Sequence, residues 1–240
     1  MRKCHMKKKT ILLLVEGICE VTAFEKAFED IKKHIQIKFI VMDGDPMTDV
    51  NLIHESIKKT IGSYISHAKK RYKLTDDDIL MIAQITDTDG AYIGEEDVII
   101  NPNIRDRDEK EYEENTIAVK NPRKKNHILF RNKDKLKDLN TLSKENTIAS
   151  RPYRLYFFSC NLDHILYNQA EPKPFDKNNQ ATDFAKIYPN FKTLKKFFSD
   201  PNIAIPGTYE QTWDFIKQDE NSLKRGSNFH LFLEEIELYL

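Results

Sequence analysis

Ile11, Leu12, Leu13, Leu14 and Val15 make an unbroken apolar block, the pattern of a short strand buried on both faces. The block stops at Glu16-Gly17. Residues 18–33 then show helical spacing, with Ile18, Val21, Phe24, Phe28 and Ile31 available for one face. A buried strand has no structural use for a carboxylate at its tip. A strand end followed by a glycine turn into a helix is where open α/β sheets place their ligands. The stretch I-L-M-I-A-Q-I-T-D-T-D-G at 79–90 ends the same way, with Asp87 and Asp89 flanking Thr88. Two strands ending in acid point to one shared cation site, because clustered carboxylates without a cation repel and at least one pKa rises.

The intervening chain supplies the rest of a parallel sheet. Residues 35–42 read as a second strand that closes on the turn Asp43-Gly44-Asp45-Pro46. Residues 50–72 carry Ile53, Ile57, Ile61, Tyr64 and Ile65 at helical spacing, and a polar turn at 75–78 precedes the third strand. The alternation β-α-β-α-β predicts parallel strands with right-handed crossovers. After Gly90 the pattern breaks into an insertion or lid at about 91–150. It is acidic over 95–114 and basic over 120–137, where Lys120, Arg123, Lys124, Lys125, Arg131, Lys133, Lys135 and Lys137 face Asp134 alone. Its helical part is expected at 132–142. A fourth strand follows at 154–159, then a helix at 160–169. From residue 182 the chain reads as helices punctuated at Pro189, Pro201, Pro206 and Gly226, with Thr208 capping one and 229–240 amphipathic. The expected organisation is a catalytic domain over 1–170 and a helical C-terminal segment, 171–240, packed on it.

Charge does not choose a partner, since 38 Lys+Arg balance 38 Asp+Glu. Cys4, Cys19 and Cys160 are far apart and suggest neither a disulfide framework nor a zinc ribbon. The basic N-terminus precedes an apolar run shorter than the roughly 7–15 residues of a signal-peptide core, and nothing approaches the roughly 20 apolar residues of a membrane span. A cytoplasmic protein without membrane partners is expected by elimination.

The motif V-E-G-x-x-E, on Glu16 and Glu20, followed by D-T-D-G after the third strand, resembles the two signatures of the Toprim domain. Topoisomerases, primases and overcoming-lysogenisation-defect (OLD) nucleases share that domain. The resemblance covers about residues 10–90 and extends towards 170. It implies an α/β fold with a Toprim-like (Rossmann-like) parallel sheet flanked by helices. The activity it implies is a nuclease dependent on Mg²⁺ (or Mn²⁺) that hydrolyses phosphodiester bonds in DNA or RNA. The family's glutamate falls on Glu16 and its D-x-D pair on Asp87 and Asp89. OLD-like and RloB-like members carry a further acid where Glu20 stands, and a polar-acidic motif after a later strand. Ser159-Cys160-Asn161-Leu162-Asp163-His164 occupies that place, without the motif's proline and with Asp163 for its glutamate. The resemblance thus implies Glu16, Asp87 and Asp89 as metal ligands, and Glu20 and Asp163 as second-metal or outer ligands. Arg123, Lys124, Lys125 and Arg131 would position backbone phosphates. It also implies the effector of an anti-phage defence system. A separate ATPase would then be the partner, since the chain has no G-x-x-x-x-G-K-[ST] loop. Self-association is left open.

Other readings stay open on the residues themselves. Asp87 and Asp89 also suit a turn, Glu16 the positive end of a helix, and Glu20 an ordinary exposed helix position. Asp43 and Asp45 favour a turn. His164 is a general-base candidate or a structural histidine. Tyr153, Tyr156 and Phe157 offer a base-stacking platform, although their strand-period alternation suits core packing better. Two further functions fit the same sheet: a catalytically silent interaction module, and a phosphoryl-transfer enzyme acting on a small nucleotide.

Overall fold

β1 (Thr10–Val15) is buried at every position. Its side chains alternate between two apolar layers, with Ile11, Leu13 and Val15 in one and Leu12 and Leu14 in the other. That two-sided burial is why the run is continuously apolar. The computed structural model describes residues 9–49, 51–52, 55–104, 110–170 and 174–240.

Gly17 opens α1 (Ile18–Glu29), whose Ala23, Phe24, Ala27 and Phe28 cover the first layer. β2 (Gln36–Val41) then returns parallel to β1. Helix α2 (Ile57–Tyr72) covers the second layer through Ile57, Ile61, Ile65 and Ala68. It starts later than the spacing from residue 50 predicts, because the preceding loop is tied into side-chain turns. Asp45 Oδ1 accepts from the Met47 amide at 2.9 Å, and Asp49 Oδ1 from the Asn51 amide at 2.8 Å. Val50 and Ile53 lie outside the described residues. A 3₁₀ turn (Asp76–Asp78), closed by reciprocal Thr75 and Asp78 bonds, leads into β3 (Ile79–Asp87), which pairs parallel with the other edge of β1.

The insertion holds more regular structure than its sequence suggests. β4 (Val98–Ile100), β5 (Glu111–Tyr112) and β6 (Ile117–Val119) form a separate sheet in the order β4-β6-β5. α3 (Pro122–Leu142) follows, capped by Asn121, whose side chain accepts from the Lys124 amide at 3.0 Å. The predicted helix starts at 132 because, before that residue, the buried face of α3 shows Ile128 alone; further along, that face includes Asn132 and Lys135 beside Leu139 and Leu142. Polar residues on that face hide its amphipathic pattern.

β7 (Thr147–Ile148) and β8 (Arg151–Phe158) form a hairpin through Ala149 and Ser150, at φ 48° and 60°. Two positive-φ residues suit the twist of a two-residue hairpin, but neither is the glycine or asparagine that would have announced it. β8 pairs parallel with β3, so the main sheet runs β2-β1-β3-β8-β7 with an antiparallel strand at its β7 edge. The architecture is α/β, a mixed sheet of mostly parallel strands flanked by helices.

α4 (Leu162–Tyr167), α5 (Pro174–Ile187), α6 (Phe191–Phe198), α7 (Tyr209–Ile216) and α8 (Phe229–Glu237) complete both layers. Phe184, Phe198, Phe229 and Phe232 join Phe24 and Phe158 in the first layer. Trp213 packs edge-on against Phe157 in the second, with ring centroids 4.8 Å apart. Thr208 caps α7 in exchange with Gln211, as its position predicts. Tyr153, Tyr156 and Phe157 are buried in these layers, so they pack the core and do not stack bases. Among the described residues, no helix is long and apolar enough to cross a membrane.

Candidate functional site

Parallel pairing aligns the C-terminal ends of β2, β1, β3 and β8 along one edge of the sheet, so the acids that follow them meet. Glu16, one residue past β1, accepts the Asp87 amide at 3.0 Å and the Thr86 hydroxyl at 2.8 Å, both on Oε1. Asp87 ends β3 and accepts the Leu162 amide on Oδ1 at 3.0 Å. Glu20 is buried, at 6% exposure, and is therefore not an ordinary solvated helix glutamate. It accepts from backbone amides including that of Gly17, and its charge meets that of Asp163 on α4, also buried. The turn after β2 contributes as well. Asp43 and Gly44 take positive φ (58° and 124°), and the Gly44 amide donates to the Glu16 carbonyl at 2.8 Å, which carries Asp45 to the cluster.

Asp89 stands on a turn that requires glycine next to it. Gly90 has φ 68°, and a β-carbon there would lie 2.5 Å from Leu223 Cδ2. Thr88 anchors the turn from behind, donating to the Ser222 carbonyl at 2.8 Å and accepting the Cys160 amide at 2.9 Å. The insertion closes over the front. Lys135 Nζ lies 2.7 Å from Asp89 Oδ2 and 2.8 Å from Asp45 Oδ2, with its side chain wholly inaccessible. The Tyr112 hydroxyl donates to Asp89 Oδ1 at 2.7 Å, and Lys110 Nζ is 3.7 Å from the same oxygen. The Arg131 guanidinium donates to the Asp89 carbonyl at 2.7 Å, and the Asn132 side chain to the Gly90 carbonyl at 3.2 Å.

These partners divide the cluster into two electrostatic halves. Burial alone would raise the Asp89 carboxyl, but Lys135, Lys110 and Arg131 outweigh it and hold the group well below the usual carboxylate range. Burial would likewise lower the Lys135 ammonium, and Asp45 and Asp89 reverse that shift. The hydrogen-bond donors to Glu16 and Asp87 are neutral. Burial, then Asp45, pushes Glu16 up to about 8. Burial also pushes Glu20 up to about 7, against its backbone amides. Burial and Glu16 raise Asp87 well above its ordinary value. This half therefore retains protons near neutral pH, and a bound cation would favour the ionised carboxylates that burial disfavours.

The structure thus brings Glu16, Glu20, Asp87, Asp89 and Asp163 together. It adds two residues that sequence reasoning passed over: Asp45, read as a turn, and Lys135, read as one surface lysine among many. Arg123, Lys124 and Lys125 lie in the first turn of α3. Arg131 is separated from them, turned inward to Asp89 and to Asn132, whose Oδ1 accepts from it at 2.6 Å. His164 lies on α4, where burial and then the charge of Arg225 lower its pKa. No family model matches the chain, and the searches of curated proteins and of solved structures found no match either.

Proposed function

We propose that this chain is a divalent-metal-dependent nuclease acting on phosphodiester bonds in DNA or RNA. The observation that carries the reading is the Glu16–Asp87 pair: two carboxylates at neighbouring strand tips, joined through the Asp87 amide and, among the described residues, hydrogen-bonded only by neutral donors. Among the described residues, no group of three or more His, Cys, Asp or Glu is arranged to hold a metal. Magnesium asks for less, since one or two carboxylates usually hold it while water and substrate phosphate complete its shell. Glu16 and Asp87 fit that demand and would hold the ion. When bound, a divalent ion activates water and neutralises charge on the phosphate. Glu20, backed by Asp163, is placed to exchange a proton near neutral pH.

The first turn of α3 supports a polyanionic substrate. Arg123, Lys124 and Lys125 sit at the positive end of its dipole, an arrangement unfavourable by roughly 0.3–1 kcal/mol per charge that a bound phosphate backbone reverses. Replacing these three by alanine is expected to weaken binding across all sequences. Each lost phosphate contact should flatten the slope of log K against log salt by about 0.7–0.9. Arg131→Ala should leave that slope unchanged, because its guanidinium is engaged with Asp89. Fluorescence anisotropy in EDTA, titrated with KCl, measures both. The resemblance to OLD-like and RloB-like proteins adds the setting to the proposal: a cytoplasmic effector of antiviral defence working with a separate ATPase.

One observation favours the silent-module reading. Asp89, a metal ligand by resemblance, is already engaged by Lys135, Lys110 and Tyr112. Incubation of plasmid, single-stranded DNA and total tRNA with Mg²⁺ or Mn²⁺, and with EDTA, separates the two. The nuclease gives metal-dependent cutting that Glu16→Gln removes. Absence of cutting, with stoichiometric partner binding that survives Glu16→Gln, would favour the module.

A further inference from the structure

A buried lysine among carboxylates is the least expected feature of the molecule. Lys135 lies on an insertion helix otherwise rich in exposed cations, yet its side chain has no accessible surface. It therefore cannot touch a substrate phosphate, and among the described residues its carboxylate partners within ion-pair distance are Asp89 and Asp45. We infer that the centre takes one divalent ion, on the Glu16–Asp87 side, and that the Lys135 ammonium permanently fills the place of a second cation. The inference rests on the metal-dependent reading above and specifies its stoichiometry.

Three observations carry it. First, both Asp89 carboxylate oxygens are committed, Oδ2 to Lys135 at 2.7 Å and Oδ1 to the Tyr112 hydroxyl at 2.7 Å. A magnesium ion would need to approach one of them to about 2.0–2.1 Å. That space is occupied by an ammonium whose nitrogen already sits at hydrogen-bond distance. Second, the ammonium cannot easily withdraw. Arg131 and Asn132 bind the Asp89 and Gly90 carbonyls one turn before it, and Leu139 and Leu142 fix α3 in the second apolar layer after it. Third, among the described residues no cation pairs with Glu16 or Asp87 at contact distance, and Lys135 acts on them only as a more distant charge. Thr86, the Asp87 amide and the Leu162 amide are the donors to Glu16 and Asp87. A two-ion centre, with its metals roughly 3.5–4 Å apart, would need both halves open. Lys135 is then a positioning residue: it fixes Asp89 and Asp45 and offsets their charge.

Manganese titration of the full chain, by calorimetry and electron paramagnetic resonance, reads the stoichiometry directly. One ion per chain is expected, with the spectrum of an isolated Mn²⁺, and Glu16→Gln should weaken its binding at least tenfold. Lys135→Met, checked for folding by circular dichroism, should admit a second ion and give the spectrum of a coupled pair. Two ions in the unaltered protein would overturn the inference while leaving the metal-dependent reading intact. No ion at all would remove both. A folded Lys135→Met protein that still takes a single ion would show that Lys135 does not fill a cation place.

Discussion

Lys135→Met is expected to be the most destabilising single substitution in the centre, by about 3–5 kcal/mol at neutral pH, the range for removing one partner of a buried ion pair. The methionine keeps the length and apolar stem of the lysine, so the loss comes from charge. Asp45 and Asp89 would be left facing each other and Glu16 with their compensating ammonium gone. The pH dependence has a definite sign. Asp89 is held well below its ordinary value in the folded protein, so its pairing contributes stability above the unfolded pKa. That contribution is lost as pH falls through the folded value. Lys135 is raised, so its own contribution is complete below the unfolded value near 10.5. The difference between the two proteins should therefore be large from about pH 5 to 9 and shrink under acid. Urea unfolding in EDTA at several pH values measures it. A difference below about 1 kcal/mol at pH 7, the scale of an exposed pair, would mean that the pair is solvated in solution.

The second large effect is the opposite in sign and lies on the other half of the cluster. Glu16 is pushed up to about 8 and Glu20 to about 7, from ordinary values near 4.5. Between those limits the folded state holds protons that the unfolded chain has released. Stability in EDTA should consequently fall as pH rises from about 5 to 8, each retained proton contributing up to roughly 1.4 kcal/mol per pH unit. Divalent metal should reverse the trend, because binding requires the deprotonated carboxylates and so strengthens with pH. Glu16→Gln keeps an oxygen for the Thr86 hydroxyl and the Asp87 amide while removing the charge. It is expected to raise the melting temperature in EDTA at pH 8, flatten the pH slope and abolish stabilisation by Mg²⁺. Melting curves against pH, with and without Mg²⁺, test all three. A Glu16→Gln protein that melts lower than the unaltered one at pH 8 in EDTA would contradict the account.

The two halves differed in how far they could be read in advance. Glu16 and Asp87 were legible because each ends an apolar run buried on both faces, and parallel pairing necessarily brings neighbouring strand tips together. Asp45 was not legible, since Asp-Gly-Asp-Pro is explained by a turn alone, and its ion-pair partner lies on a helix distant in sequence. Lys135 was hidden by composition, surrounded by exposed lysines of the same helix. A usable signal was nevertheless present: Ile128, Asn132, Lys135, Leu139 and Leu142 recur at alternating steps of four and three, the spacing of a buried helix stripe. Reading that stripe through its two polar members would have extended α3 back towards Pro122 and put Lys135 inside. The β7–β8 hairpin was missed for a different reason, because Ala149 and Ser150 adopt positive φ without the residues that usually mark it.

In the proposed function, Glu16 and Asp87 form a metal-dependent catalytic pair. Single-turnover cleavage in Mg²⁺, comparing the unaltered chain with Asp87→Asn on the substrate it cuts best, tests it most directly. The account predicts a loss of at least about a hundredfold, the scale of removing one preorganised electrostatic contact in an active site, together with a fold unchanged by circular dichroism. An Asp87→Asn protein that cuts as fast as the unaltered chain would contradict it.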